Sequence, residues 1–106
     1  MFKKFAFVLC LLTSSSAGAY QDSFISLCYH DVRDTWDDDP TTVSVDTLIS
    51  HLSWIKTHNF HPVSIQDIVS ARNGDKPLPE NAVLLTFDDG YSSFYNHIYP
   101  TLKSFN

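Results

Sequence analysis

The chain of 106 residues carries 7 Lys+Arg against 12 Asp+Glu, a formal charge of −5 with His neutral. With no basic run beyond Lys3-Lys4, it lacks the positive stripe that nucleic-acid binding needs. Apolar residues make up 43% and charged residues 18%, so the composition is that of a globular chain that buries a core, while two cysteines, Cys10 and Cys28, with no Cys-x-x-Cys pair exclude a disulfide scaffold or zinc ribbon.

Met1-Phe-Lys-Lys places positive charge at the start, Phe5 to Leu12 is apolar throughout, and Thr13 to Ala19 is small and polar, ending Ala17-Gly18-Ala19. This is the pattern of a secretory signal peptide over residues 1–19, with cleavage expected after Ala19. Eight apolar residues are too short to span a membrane, which takes about 20. No cysteine stands at the cleavage point, which argues against lipid attachment there. Without Lys3 and Lys4, the remaining 87 residues hold 5 basic and 12 acidic groups, a charge of −7. Residues 20–106 are expected to be an acidic exported domain with a single thiol, Cys28.

Phe24 to Tyr29 is a short apolar run rich in β-formers and predicts a buried strand. His30 to Thr42 is polar, contains Asp37-Asp38-Asp39-Pro40, shows no hydrophobic period and predicts a loop. From Val45 to His58, Leu48, Ile49, Leu52 and Ile55 fall on one helical face, with Ser44 as N-cap and Asn59 closing the C-terminus. A weaker strand is expected over Phe60 to Val63. Ser64 with Asp67 three residues on then caps a helix through Arg72 that stops near Asn73-Gly74. Lys76 to Pro79 reads as a loop, and Ala82 to Phe87 is the strongest buried-strand signal. A helix is expected from about Ser92, with Pro100 kinking it or opening a new turn.

Strand and helix alternate three times, the pattern of an α/β fold with a parallel sheet. Three such strands leave an apolar edge uncovered, so the chain is expected to be the front part of a larger domain. Ligands of such folds bind at the carboxyl ends of the strands. His30-Asp31 and Asp88-Asp89-Gly90 meet that criterion. Adjacent carboxylates on a turn can divide labour, one holding a cation while the other accepts a proton from water. Alternatively, the two Asp merely cap the following helix.

Leu85-Thr-Phe-Asp-Asp-Gly-Tyr91 resembles the first signature of the polysaccharide deacetylase family, also called the NodB-homology family or carbohydrate esterase family four. Tyr29-His30-Asp-Val32, His61-Pro-Val-Ser-Ile65, the Gly74 to Pro79 stretch and Tyr99-Pro-Thr-Leu102 are similar to the branch that deacetylates poly-β-1,6-N-acetylglucosamine, a biofilm exopolysaccharide. The resemblance covers residues 24 to the end. It implies the N-terminal portion of a deformed, incomplete (β/α) barrel and a metal-dependent hydrolase of N-acetyl groups. Asp88 would be the base that activates water, and Asp89 a ligand of a divalent metal, zinc by default. The remaining ligands, a histidine pair spaced i, i+4, and a histidine acid are expected beyond residue 106, so the short chain is expected to be inactive by itself. Chitin, peptidoglycan or xylan are alternative polymers, and a non-catalytic glycan-binding fragment is another reading.

His30 faces the expected site and is a candidate substrate-binding residue; with the first and third strands separated by one strand, it is expected roughly 10 Å from Asp88 and Asp89. His58 and His61, spaced i, i+3, fall at the opposite end of the strands and are assigned ordinary surface roles, as are His51 and His97 surface or packing roles. Trp36 and Asp37 to Asp39 read as a solvated loop. Trp54, Phe94, Tyr95, Tyr99 and Phe105 are expected in the core.

Overall fold

The computed structural model describes residues 23–105; the expected signal peptide and its cleavage point lie outside them. The described residues build two small parallel sheets. Strands β1 (Phe24–Tyr29), β4 (His61–Pro62) and β5 (Ala82–Phe87) form one, in the order β1-β5-β4; β2 (Asp31–Arg33) and β3 (Thr42–Ser44) form the other. The helices are α1 (Val45–Thr57), α2 (Ile65–Arg72) and α3 (Tyr99–Ser104), and a π-helical turn over Phe94–Ile98 leads into α3.

Caps set the helix bounds. The Ser44 hydroxyl accepts the Thr47 N–H at the start of α1. At its end, Asn59 takes φ 56° while Phe60 N–H bonds Ile55 C=O and Asn59 N–H bonds Lys56 C=O, a Schellman closure. Helix α2 repeats the device. Ser64 and Asp67 form a reciprocal capping box, and Gly74 at φ 78° ends the helix, with Asp75 N–H on Ser70 C=O. Pro100 sits in the first turn of α3, where its missing N–H costs no hydrogen bond.

Leu48, Leu52 and Ile55 of α1 pack with Tyr29, Val32, Val83 and Ile98 into one core; Ile49, expected on the same face, is 40% exposed. The Tyr29 ring stacks on Phe87 at 5.2 Å, and Phe87 meets Phe94 edge-on at 5.7 Å, so an aromatic row runs beneath the carboxyl ends of the strands.

Three expectations are corrected. The stretch from His30 to Thr42 is not all loop, because β2 and β3 pair Asp31 with Thr42 and Arg33 with Ser44. Strands of three residues are too short to show a hydrophobic period. Trp54, Phe94, Tyr95 and Tyr99 are not core residues: they are 41% to 79% exposed, since no described element covers them. The two strands that bear the site residues are neighbours rather than being separated by a third, with β5 taking the centre of its sheet. Phe24 and Ile25 on β1 are exposed apolar residues, as expected for an uncovered edge.

Candidate active site at the acidic turn

Strands β1 and β5 run in parallel from Phe24 opposite Ala82 to Tyr29 opposite Phe87, and Asp88 N–H donates to Tyr29 C=O at 2.8 Å. The ladder therefore delivers His30 and Asp88 together at the carboxyl edge. The next two residues reverse the chain with positive φ, 70° at Asp89 and 61° at Gly90. A Cβ on Gly90 would meet nothing within 4 Å. Glycine is placed there by backbone conformation, not by close approach.

This turn brings the acidic pair to His30. Asp89 Oδ2 lies 2.9 Å from His30 Nδ1, and Cys28 Sγ donates to Asp88 Oδ2 at 3.4 Å while standing 3.9 Å from His30 Nε2. Residues 28 and 30 share a face of the chain because side chains in a strand alternate. That parity was the signal in the sequence that could have linked Cys28 to the site. The helix-cap alternative is not what the turn does: the π-helical turn begins at Phe94 after Ser93, with no side-chain cap.

A cleft of about 470 Å³ opens at this edge, lined by His30, Phe87, Asp88, Gly90, Tyr91 and Tyr95 among others. Aromatic faces beside carboxylates suit a sugar ring with its polar groups at the rim. Two larger hollows, of about 600 and 560 Å³, lie against α1 and the sheet and contain no carboxylate.

Other polar candidates serve structure. Asp31, which also follows β1, is buried and bonds Arg33 Nε at 2.8 Å. The Ser93 hydroxyl, helped by Arg33, holds its carboxyl below the usual range against the opposing effect of burial. Ser93 also accepts the Val32 N–H at 3.4 Å, tying β2 to the segment after the acidic turn. Arg33 pairs with Asp37, and Asp39 takes the backbone and hydroxyl of Thr41, so the acidic loop is organised by its own residues. Trp36 is 67% exposed. His51 Nδ1 meets the Tyr29 hydroxyl at 3.0 Å, and His97 pairs with Asp34 at 3.6 Å. His58 stacks on Trp54 after α1, and His61 pairs with Ala82 at the amino end of β5, the end remote from Asp88.

The donors present fit a divalent cation in kind: imidazole and carboxylates converge, and Cys28, His30 and Asp88 offer ligand atoms within 4.8 Å of one another. Among the described residues, no histidine pair spaced i, i+4 joins them.

The parallel sheet carries an aspartate pair at the carboxyl end of its central strand, and residues 75–106, which include that pair, match the Polysaccharide deacetylase family. The chain is similar to the poly-β-1,6-N-acetyl-D-glucosamine N-deacetylase of Escherichia coli strain K12, with 41% identity over 85 residues, covering 79% of this chain and 13% of that protein. Among solved structures, a de-N-acetylase from Aggregatibacter actinomycetemcomitans is 44% identical with a TM-score of 0.72, covering 78% of this chain and 34% of that one. IcaB from Ammonifex degensii is 31% identical with a TM-score of 0.68 over the same shares. The chain thus spans about one-eighth of the curated relative and one-third of the solved ones.

Proposed function

We propose that these residues are the front part of a (β/α)-barrel deacetylase that is exported and removes N-acetyl groups from poly-β-1,6-N-acetylglucosamine in a biofilm matrix. The observation that carries this reading is the convergence of Asp88, Asp89 and His30 at the edge of an aromatic cleft, on a strand whose sequence leads directly into the turn. Similarity to an enzyme named for that polymer supports the choice of substrate. Export rests on Lys3-Lys4, the apolar stretch and Ala17-Gly18-Ala19. No helix among the described residues is long and apolar enough to cross a membrane.

In this reading Asp88 accepts the proton of the water that attacks the acetyl carbonyl. Asp89 would hold the divalent metal, zinc by resemblance. When bound, such a cation polarises the carbonyl and makes water more acidic. His30, oriented by Asp89 and lining the cleft, hydrogen-bonds the substrate. The acetyl group leaves as acetate, and a free amine stays on the sugar.

The test uses the longest natural product that contains this sequence. Asp88→Asn should keep the zinc held by Asp89 and lose acetate release by roughly 100-fold or more, since an amide cannot accept the proton. Asp89→Asn should lose zinc. Unchanged zinc content together with unchanged acetate release in both variants would overturn the reading. Chitin, peptidoglycan and xylan oligomers assayed beside the β-1,6-linked polymer decide the substrate.

A further inference from the structure

We propose that Cys28, His30 and Asp88 form a binding site for a thiophilic divalent cation, distinct from the one assigned to Asp89. A sulfur, a nitrogen and an oxygen donor lie within 4.8 Å of one another, with Cys28 exposed to solvent. Around a tetrahedral ion with bonds of about 2.3 Å to sulfur and about 2.0–2.2 Å to nitrogen or oxygen, donors stand roughly 3.4–3.6 Å apart. The observed 3.4 Å from Cys28 Sγ to Asp88 Oδ2 and 3.9 Å from Cys28 Sγ to His30 Nε2 are close to that spacing before any adjustment.

The imidazole is also set in the right sense. Asp89 Oδ2 can only accept, so His30 donates from Nδ1, and in the neutral ring the lone pair falls on Nε2, the nitrogen facing Cys28. A carboxylate behind a histidine in this way fixes the tautomer of a metal ligand. Magnesium and calcium take oxygen donors and are a poor match; zinc and cadmium suit thiolate with imidazole. Binding would release the Cys28 thiol proton to solvent and leave the fourth tetrahedral position open.

The site stands on this geometry. Its consequence, that a cation here engages the Asp88 oxygen and withdraws it from proton transfer, rests on the function proposed above.

Cadmium titration of the full 106-residue chain, followed by the ultraviolet cadmium–thiolate charge-transfer band, tests the site without any assay of turnover. One cadmium per chain is expected, with the band intact in Cys10→Ser and absent in Cys28→Ser. His30→Ala and Asp88→Asn should each weaken binding by about tenfold or more, and Asp89→Asn by roughly 10- to 100-fold through the orienting bond. Absence of the band in the native chain, its persistence in Cys28→Ser, or unchanged affinity in both His30→Ala and Asp88→Asn would overturn the site. Failure of the deacetylase reading would appear instead in acetate release and leave the band unchanged.

Discussion

His30 Nδ1 and Asp89 Oδ2 are 2.9 Å apart although 59 residues separate them in the chain. The bond exists because β1 and β5 are adjacent parallel strands that end in register, and because the left-handed backbone at Asp89 turns its carboxylate back across the sheet edge. In the proposed enzyme, His30→Ala should lower acetate release by about tenfold or more. His58→Ala and His61→Ala should leave it within about twofold, since both residues stand at the amino end of the sheet. Equal losses in all three, measured with thermal melting as a control for folding, would remove His30 from the site.

Gly90 sits at φ 61° with open space where a side chain would go. Gly90→Ala should therefore destabilise the fold by about 1 kcal/mol, the conformational cost of a left-handed alanine, rather than by a clash. Urea unfolding measures it, and a loss several times larger would point to a steric constraint instead.

Tyr29 is buried with its hydroxyl on His51, and burial pushes the phenol up from its ordinary pKa, so it remains protonated at neutral pH. Tyr29→Phe keeps the stack on Phe87 and removes one hydrogen bond, which should cost about 1 kcal/mol. Leu48→Ala, at a fully buried position in the same core, should cost about 2–5 kcal/mol. A reversed order in denaturant titrations would contradict the packing described.

The Asp31 carboxyl, held down first by Ser93 and then by Arg33, titrates below its unfolded value of 3.8. A depressed folded pKa means that the stabilisation is fully present above the unfolded value and disappears as pH falls through the folded one. Melting temperature should therefore drop as pH is lowered below about 4, and Asp31→Asn should flatten that part of the profile. A profile in the variant identical to that of the native chain would show that the contact carries no proton linkage.

Much of this architecture is legible in the sequence where the local signal is strong. The bounds of β5 follow from an unbroken apolar run, and the starts of α1 and α2 from Ser44 and from the Ser64–Asp67 box. Asp88, Asp89 and His30 could be grouped because strand ends collect ligands. Strand order could not be read, since periodicity reports which face is buried and not which neighbour pairs. The ladder of β2 with β3 was hidden by its length, and the exposure of Trp54 and Tyr95 depends on which surfaces other elements cover. Cys28 entered the site through alternation along β1, a signal present in Cys28-Tyr-His30 but without meaning until Asp88 was placed beside it.

The central position of β5 sets the order of assembly. Strands β1 and β4 have no ladder with each other, and each finds its partner only in the strand made last of the three. During synthesis the β1 segment must wait for the intervening helices and loops before its edge can be satisfied, a long-range closure that slows folding. Until Ala82 to Phe87 has emerged, the nascent chain has neither this sheet nor the turn with its two aspartates, so the sheet and the acidic turn form in a single event.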